Sequence, residues 1–291
     1  MQRKERKTPM WFLWALLSPL TFGVSGFLMK ASSARQGSVP HTLWGLYLSG
    51  TLGFAVWLAF SGAFRLDAAV LLGGVAVGLG SAAGNWLFML ALQRGPASLT
   101  SPLVNTNILL VIAISVAFYG ERLSAMEWTG VALLVLAVFL IPIDPDENLS
   151  IRDRTWYGLV VTATILFTFR NGGLKVTDEW GLAGESVLFY GYLFSLGWMT
   201  VELVRKHPRT PAASARNGLQ WGLAAGIFSF AGMQLYAIAL IEGPASIVAP
   251  LFATNSLVVA LLSIHFFRER LSKLQAASLA LLIVGLALSR M

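Results

Sequence analysis

The sequence predicts an all-α integral membrane protein. Ten transmembrane helices are expected, arranged as two inverted five-helix repeats around a central cavity. Three observations carry this expectation. Of the 291 residues, 56% are hydrophobic and only 12% are charged, about half the charge that covers a soluble domain. The apolar residues fall in runs near the length of about 20 residues that one helix needs to cross a bilayer. The second half of the chain repeats the first.

Ten apolar runs bounded by charges, Pro and Gly can be read, at 11–30, 42–61, 68–92, 96–119, 125–143, 156–175, 183–204, 218–241, 244–267 and 273–290. They lack two-residue alternation and are too long for barrel strands. The first run follows Arg3, Lys4, Arg6 and Lys7, as a signal peptide would, but its length makes it a retained first helix. Two longer polar connections stand out, Asp144–Thr155 and Arg205–Asn217.

The repeat is explicit. Ala91–Ser124 and Ala239–Ser272, 148 positions apart, agree at 18 of 34 positions without a gap. Gly74, Gly78 and Gly84 pair with Gly222, Gly226 and Gly232 at the same shift, and Trp11, Phe22 and Lys30 pair with Trp156, Phe167 and Lys175 at a shift of 145. The domains are therefore expected at 1–143 and 156–291. An odd number of spans per copy forces the second copy to enter the membrane from the opposite side. That plan is shared by many secondary transporters, whose substrates bind near the midplane between the halves.

Composition excludes several classes. There is no cysteine, and His41, His207 and His265 form no cluster, so neither metal nor cofactor is expected. No phosphate loop of the GxxxxGK[ST] type occurs, and no catalytic dyad argues for an enzyme. The net charge of +7 is read as loop charge that sets orientation, with no nucleic-acid partner. The expected partners are a small-molecule substrate and the lipid bilayer, with the chain read as a monomer.

The repeated motif Gly95-Pro96-Ala97-Ser98 and Gly243-Pro244-Ala245-Ser246 predicts a tight hairpin, with glycine in the left-handed position after one helix and proline opening the next. Pro102 and Pro250 each remove a backbone hydrogen bond inside a span. Asn107 and Asn255 follow, beside Thr106 and Thr254. Two readings stand open: a cavity-lining kink with exposed carbonyls, or polar packing between helices. The glycines of the third and eighth spans permit close helix approach. Glu121-Arg122-Leu123-Ser124 and Glu269-Arg270-Leu271-Ser272 are read as helix-end anchors.

With its paired GPAS-x3-PL-x2-TN segments, paired ERLS segments and glycine-rich third and eighth spans, the chain resembles the ten-span EamA-type permeases of the drug/metabolite transporter superfamily. The resemblance implies two cytoplasmic termini and a cavity lined by spans one to four and six to nine, with five and ten peripheral. It also implies a cell-membrane, multi-pass location and an activity such as export of amino acids and other metabolites, drug efflux, or sugar or choline uptake. Lysines and arginines counted over all loops favour the reverse orientation. The basic cluster before the first span and the family pattern favour an internal N-terminus.

A substrate is asymmetric, so its site is sought where the halves differ. Asn85 and Trp86 align with Met233 and Gln234, Arg170 with Ser25, and Asn105 with Ala253. Arg170 is a charge within a span, which costs about 3 kcal/mol at the centre. It either binds an anionic group or snorkels to the headgroups, and Asn171-Gly172-Gly173 beside it suggests a loosened helix. Aromatic side chains such as Trp86, Tyr236, Trp198 and Tyr192 can cage quaternary ammonium groups. The candidate substrate-binding residues are Asn85, Trp86, Asn107, Arg170, Gln234, Tyr236 and Asn255. The expected function is secondary transport of small polar or amphipathic metabolites by alternating access, as an exporter. The alternatives are a flippase for a lipid-linked headgroup and a quaternary-ammonium or drug transporter. Glu185 and Glu202 lie near the ends of the seventh span, so no deep carboxylate relay is visible.

Overall fold

A computed structural model describes residues 10–95, 97–120, 123–140, 154–206, 210–268 and 273–288. Glu121, Arg122, Glu269–Ser272, the N-terminal basic cluster and most of the Asp144–Thr155 connection lie outside the described residues. The described chain is helical: α1 Met10–Ala34, α2 Val39–Ser61, α3 Ala68–Arg94, α4 Ala97–Val104, α5 Asn107–Tyr119, α6 Ala125–Leu140, α7 Arg154–Glu179, α8 Gly184–Lys206, α9 Ala212–Glu242, α10 Ala245–Ala253, α11 Asn255–Phe267 and α12 Lys273–Leu288. Among the described residues, seven stretches are long and apolar enough to cross a membrane: α1, α2, α3, Thr100–Tyr119, Gly184–Arg205, α9 and Ile247–Phe267. With 26 residues α7 has the length, but Arg170, Asn171, Lys175, Asp178 and Glu179 make it more polar. It also runs unbroken through Asn171-Gly172-Gly173, so the loosening expected there does not occur.

Glycine fixes the packing. A Cβ on Gly78 of α3 would meet the carbonyl oxygen of Gly191 on α8 at 2.6 Å, and one on Gly45 of α2 would meet the backbone of Leu219 and Leu223 on α9 at 2.9 Å. Backbone touches backbone at these points, as small residues allow between membrane helices. Gly218, Gly222 and Gly226 meet Ser38, Thr42 and Leu46 in turn, so α9 runs parallel to α2. In the same way Gly74 and Gly78 meet Val187 and Gly191, and α3 runs parallel to α8.

The antiparallel contacts repeat as well. Gly232 abuts Phe22 and Gly243 abuts Trp11 between α9 and α1; Gly84 abuts Phe167 and Gly95 abuts Trp156 between α3 and α7. Each half thus makes on the other the contact that the other makes on it. The peripheral helices α6 and α12 pack against one another.

Two local expectations need correction. Gly95 (φ −150°) and Gly243 (φ −107°) are extended, not left-handed. Glycine stands there for space: a Cβ would sit 2.5 Å from the indole of Trp156 or Trp11. The left-handed cap lies at the far end of the hairpin, at Gly120 (φ 65°), and Arg268 (φ 55°) adopts the same conformation at the matching position of the second half.

The spans read as 96–119 and 244–267 are each broken, at Asn105–Thr106 and at Thr254, one turn after Pro102 and Pro250. Across the breaks the hydrogen bonds shorten to i→i−3, as in Thr106 N–H to Leu103 O (3.1 Å) and Thr254 N–H to Leu251 O (3.1 Å). The carbonyls at the breaks are not left exposed. Asn107 Nδ2 donates to Val104 O (2.8 Å) and Asn255 Nδ2 to Phe252 O (2.6 Å).

Gly78→Ala should destabilise the protein in detergent by about 1–3 kcal/mol, because its methyl group meets backbone that cannot turn aside. Gly197→Ala, whose methyl group meets nothing within 4 Å, should leave the thermal midpoint unchanged or raise it. Fluorescence-detected thermal melts of both variants check this contrast.

Candidate functional site

The glycine contacts bring a narrow cavity, largely apolar but set with polar side chains, to the centre of the helices. Its walls are Ser25 and Phe22 of α1, Asn85 of α3, Ser101 of α4, Asn105 at the α4–α5 break, Phe167 and Arg170 of α7, Ser229 of α9 and Asn255 of α11, closed by apolar neighbours such as Met29 and Val259. Its free volume is about 30 Å³, room for about two waters.

Arg170 is the only charged residue in this wall. It is 3% exposed, which excludes snorkelling to the headgroups. Its guanidinium lies over the ring of Phe167 at 4.0 Å and of Phe22 at 5.0 Å, and Nε donates to Asn171 Oδ1 at 3.0 Å. Phe22 and Phe167 are the same position in the two halves, so the repeat itself supplies two rings to one charge. Among the described residues no carboxylate pairs with Arg170. The titratable groups near enough to act on it are the hydroxyls of Tyr47, Tyr192 and Tyr236.

Two cation–π contacts in a dry site contribute about 2 kcal/mol or more, and the charge-assisted hydrogen bond about 1.5–3 kcal/mol. Together these offset the cost of holding the charge inside. They leave its sign uncompensated.

Behind Arg170 runs a relay of amides. Asn171 Nδ2 donates to Asn107 Oδ1 at 2.9 Å, and Asn107 in turn satisfies Val104 O at the α4–α5 break. The second half is built differently. Asn255 Oδ1 accepts from Asn105 Nδ2 at 3.0 Å. The position matching Asn171 is Gly26, where a Cβ would meet Val259 of α11 at 2.8 Å. Each broken helix is therefore held by an asparagine of the same motif, but through a different neighbour.

Tyr47 and Tyr192, 145 positions apart, pack edge to face with centroids 5.6 Å apart. Tyr47 hydrogen-bonds Ser81 (3.1 Å) and Tyr192 hydrogen-bonds Ser229 (2.6 Å), and these serines are 148 apart. Asn85 Nδ2 donates to Tyr47 Oη at 2.9 Å. Only the first half carries this third member.

The sequence-predicted residues divide accordingly. Arg170, Asn85 and Asn255 line one cavity, and Asn107 supports it from behind. Tyr236 is buried one layer out, stacked at 4.4 Å on Phe252, which packs on Phe22 at 4.9 Å. Gln234 is elsewhere: its Nε2 donates to Glu185 Oε1 at 3.3 Å, and Trp57 Nε1 donates to the same oxygen at 2.9 Å. Trp86 turns to a separate groove between α3 and α8. Adjacent residues on a helix point about 100° apart, and here that turn puts Asn85 on the central cavity and Trp86 on the groove. Tyr47, Asn171 and the Phe22–Phe167 pair were missed as site residues. The signal for three of them was present, as aromatic positions shared by both halves, whereas aromatic and charged candidates were sought where the halves differ.

Comparison with known proteins now decides the class. The model of the EamA-like transporter family matches residues 9–143 and again residues 154–291. The chain belongs to the EamA-like transporter family. With its membrane-length helices, this EamA-like protein is a multi-pass membrane protein of a transporter family, and the names of its relatives are those of transporters rather than enzymes. An uncharacterized transporter in the cobO 3' region of Sinorhizobium sp. is 28% identical over 142 residues, which is 46% of this chain and 96% of that one. A probable 4-amino-4-deoxy-L-arabinose-phosphoundecaprenol flippase subunit ArnE of Pectobacterium atrosepticum is 34% identical over 58 residues, 20% of this chain and 51% of that subunit. A solved crystal structure matches with a TM-score of 0.69 over 94% of this chain and 96% of its own, at 16% identity, which is a likeness of fold.

Asn107→Ala should cost about 1–3 kcal/mol, because it strands Asn171 and Val104 O in a dry interior. Asn85→Ala should cost less, since Tyr47 keeps Ser81. Thermal melts of the two variants side by side test the ranking.

Proposed function

We propose that this protein is a secondary transporter for small metabolites bearing a carboxylate or phosphate, amino-acid-like compounds among them, and that it moves them across the cell membrane by alternating access as an exporter. The observation that carries this reading is the buried guanidinium of Arg170, which lines a central cavity and has no carboxylate among the described residues to neutralise it. A paired fork of N–H donors suits an oxyanion. Asn85, Asn255, Asn105 and Ser101 would supply hydrogen bonds to the remainder of the substrate, and Asn107 with Asn171 would position Arg170.

Ten spans in two inverted halves, 1–143 and 156–291, with both termini cytoplasmic, complete the proposal. The reciprocal contacts of α3 on α7 and α9 on α1 support it, as does the repeated match of the family model. A free volume of about 30 Å³ is far below the roughly 300 Å³ of a small-ligand pocket. The described conformation would therefore be a closed one, opening by rocking of one half on the other. A second reading, passage of a lipid-linked headgroup, draws support from the flippase-subunit relatives.

Counterflow in proteoliposomes loaded with a labelled amino-acid and organic-acid pool tests the first reading. Uptake of an anionic solute should be seen with wild type, fall at least about tenfold in Arg170→Ala, and return in part with Arg170→Lys, since a buried charged contact is worth over 1.4 kcal/mol. Equal counterflow by Arg170→Ala would overturn it. Because the chain has no cysteine, single-cysteine labelling reads topology directly. Ser61→Cys should react from the cytoplasm, and Gln36→Cys and Ala213→Cys from outside.

A further inference from the structure

Outside the central cavity, a groove receives the side chain of Trp86. It lies between α3 and α8, has a free volume of about 280 Å³, and is lined by Ala83, Trp86, Leu87, Trp198, Met199 and Glu202. Two indoles, a thioether and one carboxylate meet there. The apolar residues flanking it on the same two helices, Leu79, Val201 and Val204, are exposed. In a chain of membrane-length helices these exposed faces meet lipid, so the groove opens sideways to the bilayer. Glu202 is less than two turns from the end of α8, at a depth where a headgroup and the start of an acyl chain coexist.

We infer that this lateral groove is a second binding site, for an amphipathic cation that enters from the bilayer with its ammonium group against Glu202 and between Trp86 and Trp198. Charge complementarity selects the occupant. Indole faces and a carboxylate together favour an organic cation, above all a quaternary ammonium, which cannot hydrogen-bond and is held by ring faces and charge. An anionic headgroup is rejected by Glu202. A wholly polar metabolite would gain nothing from Leu87 and Met199.

The site occurs at only one of the two matching interfaces between the halves. Trp86 of α3 aligns with Gln234 of α9, and Glu202 of α8 with Trp57 of α2, and at that second interface Gln234 and Trp57 both donate to Glu185. The groove is also chemically distinct from the Arg170 cavity, which prefers the opposite charge. The inference goes beyond the proposed transport reading and stands or falls separately from it.

The probe is 11-bromoundecyltrimethylammonium, whose bromine quenches nearby indoles, compared with the uncharged 11-bromoundecanol on the full chain in maltoside micelles. The cation should quench a saturable component of tryptophan fluorescence at a mole fraction about tenfold lower than the alcohol. Trp86→Phe with Trp198→Phe should remove that component, Glu202→Gln should abolish the preference for the cation, and Arg170→Ala should leave it unchanged. A wild-type protein that quenches equally with both probes would overturn the inference without any variant having to fold. So would a Glu202→Gln protein that keeps the tenfold preference.

Discussion

The structure depends on the approach of glycine backbones across the two halves. In lipid no hydrophobic force draws one helix to another, so association rests on close packing and on polar contacts between helices. At Gly78 on Gly191, and at Gly45 on Leu219 and Leu223, the separation leaves no room for a methyl group. These contacts make α3 and α9 the two hubs, each against two helices of the opposite half. Once the hubs are that close, Ser81 and Ser229 must face inward. There they meet Tyr47 and Tyr192, and the pair of tyrosines packs across the interface of the halves.

Onto this near-symmetric frame the chain places one asymmetric charge. Phe22 and Phe167 come from the repeat, and so do the two broken helices with their capping asparagines. Arg170, Asn171, Asn85 and Asn105 do not. An apolar cage that stabilises a cation without neutralising it is suited to accept an anion and release it again. A carboxylate in the same place would have closed the site permanently, since breaking a buried pair costs about 3–5 kcal/mol. The helix breaks beside the cavity contribute differently. At each break one carbonyl, Val104 O or Phe252 O, accepts from the side chain of Asn107 or Asn255, so those carbonyls keep a donor where the α4–α5 and α10–α11 joints interrupt the helix.

The repeat was legible because duplication preserves what packing requires. Glycines, the GPAS turn and the paired tryptophans survive at fixed shifts, and the glycines marked the third and eighth spans as helices that others approach closely. The reason for Gly95 and Gly243 was not legible, because a glycine before proline suggests a left-handed cap unless one knows that an indole lies against it. Arg170 was legible as a charge in an apolar run, while its environment was not. Of the two rings against it, Phe167 is on its own helix but Phe22 comes from a helix far away in sequence. Looking only at positions where the halves differ found Arg170 and Asn85. It also selected Gln234 and Trp86, which differ for other reasons, and it passed over Tyr47, whose identity in both halves concealed its place beside Asn85. Contrast between repeats marks where a chain has specialised, and the turn of the helix then decides which specialised residues can meet.

The central claim is that the cavity at Arg170 receives an anion. Its most direct test is a crystal structure of the full chain grown with a bromine-bearing carboxylate, such as bromoacetate, or with selenate, read by anomalous scattering. The account predicts an anomalous peak in the space between Phe22, Phe167 and Asn85, with oxygen atoms within hydrogen-bond reach of the Arg170 guanidinium. It would be contradicted by a cavity without a peak at saturating anion, or by a guanidinium turned away to pair with a carboxylate of the protein itself.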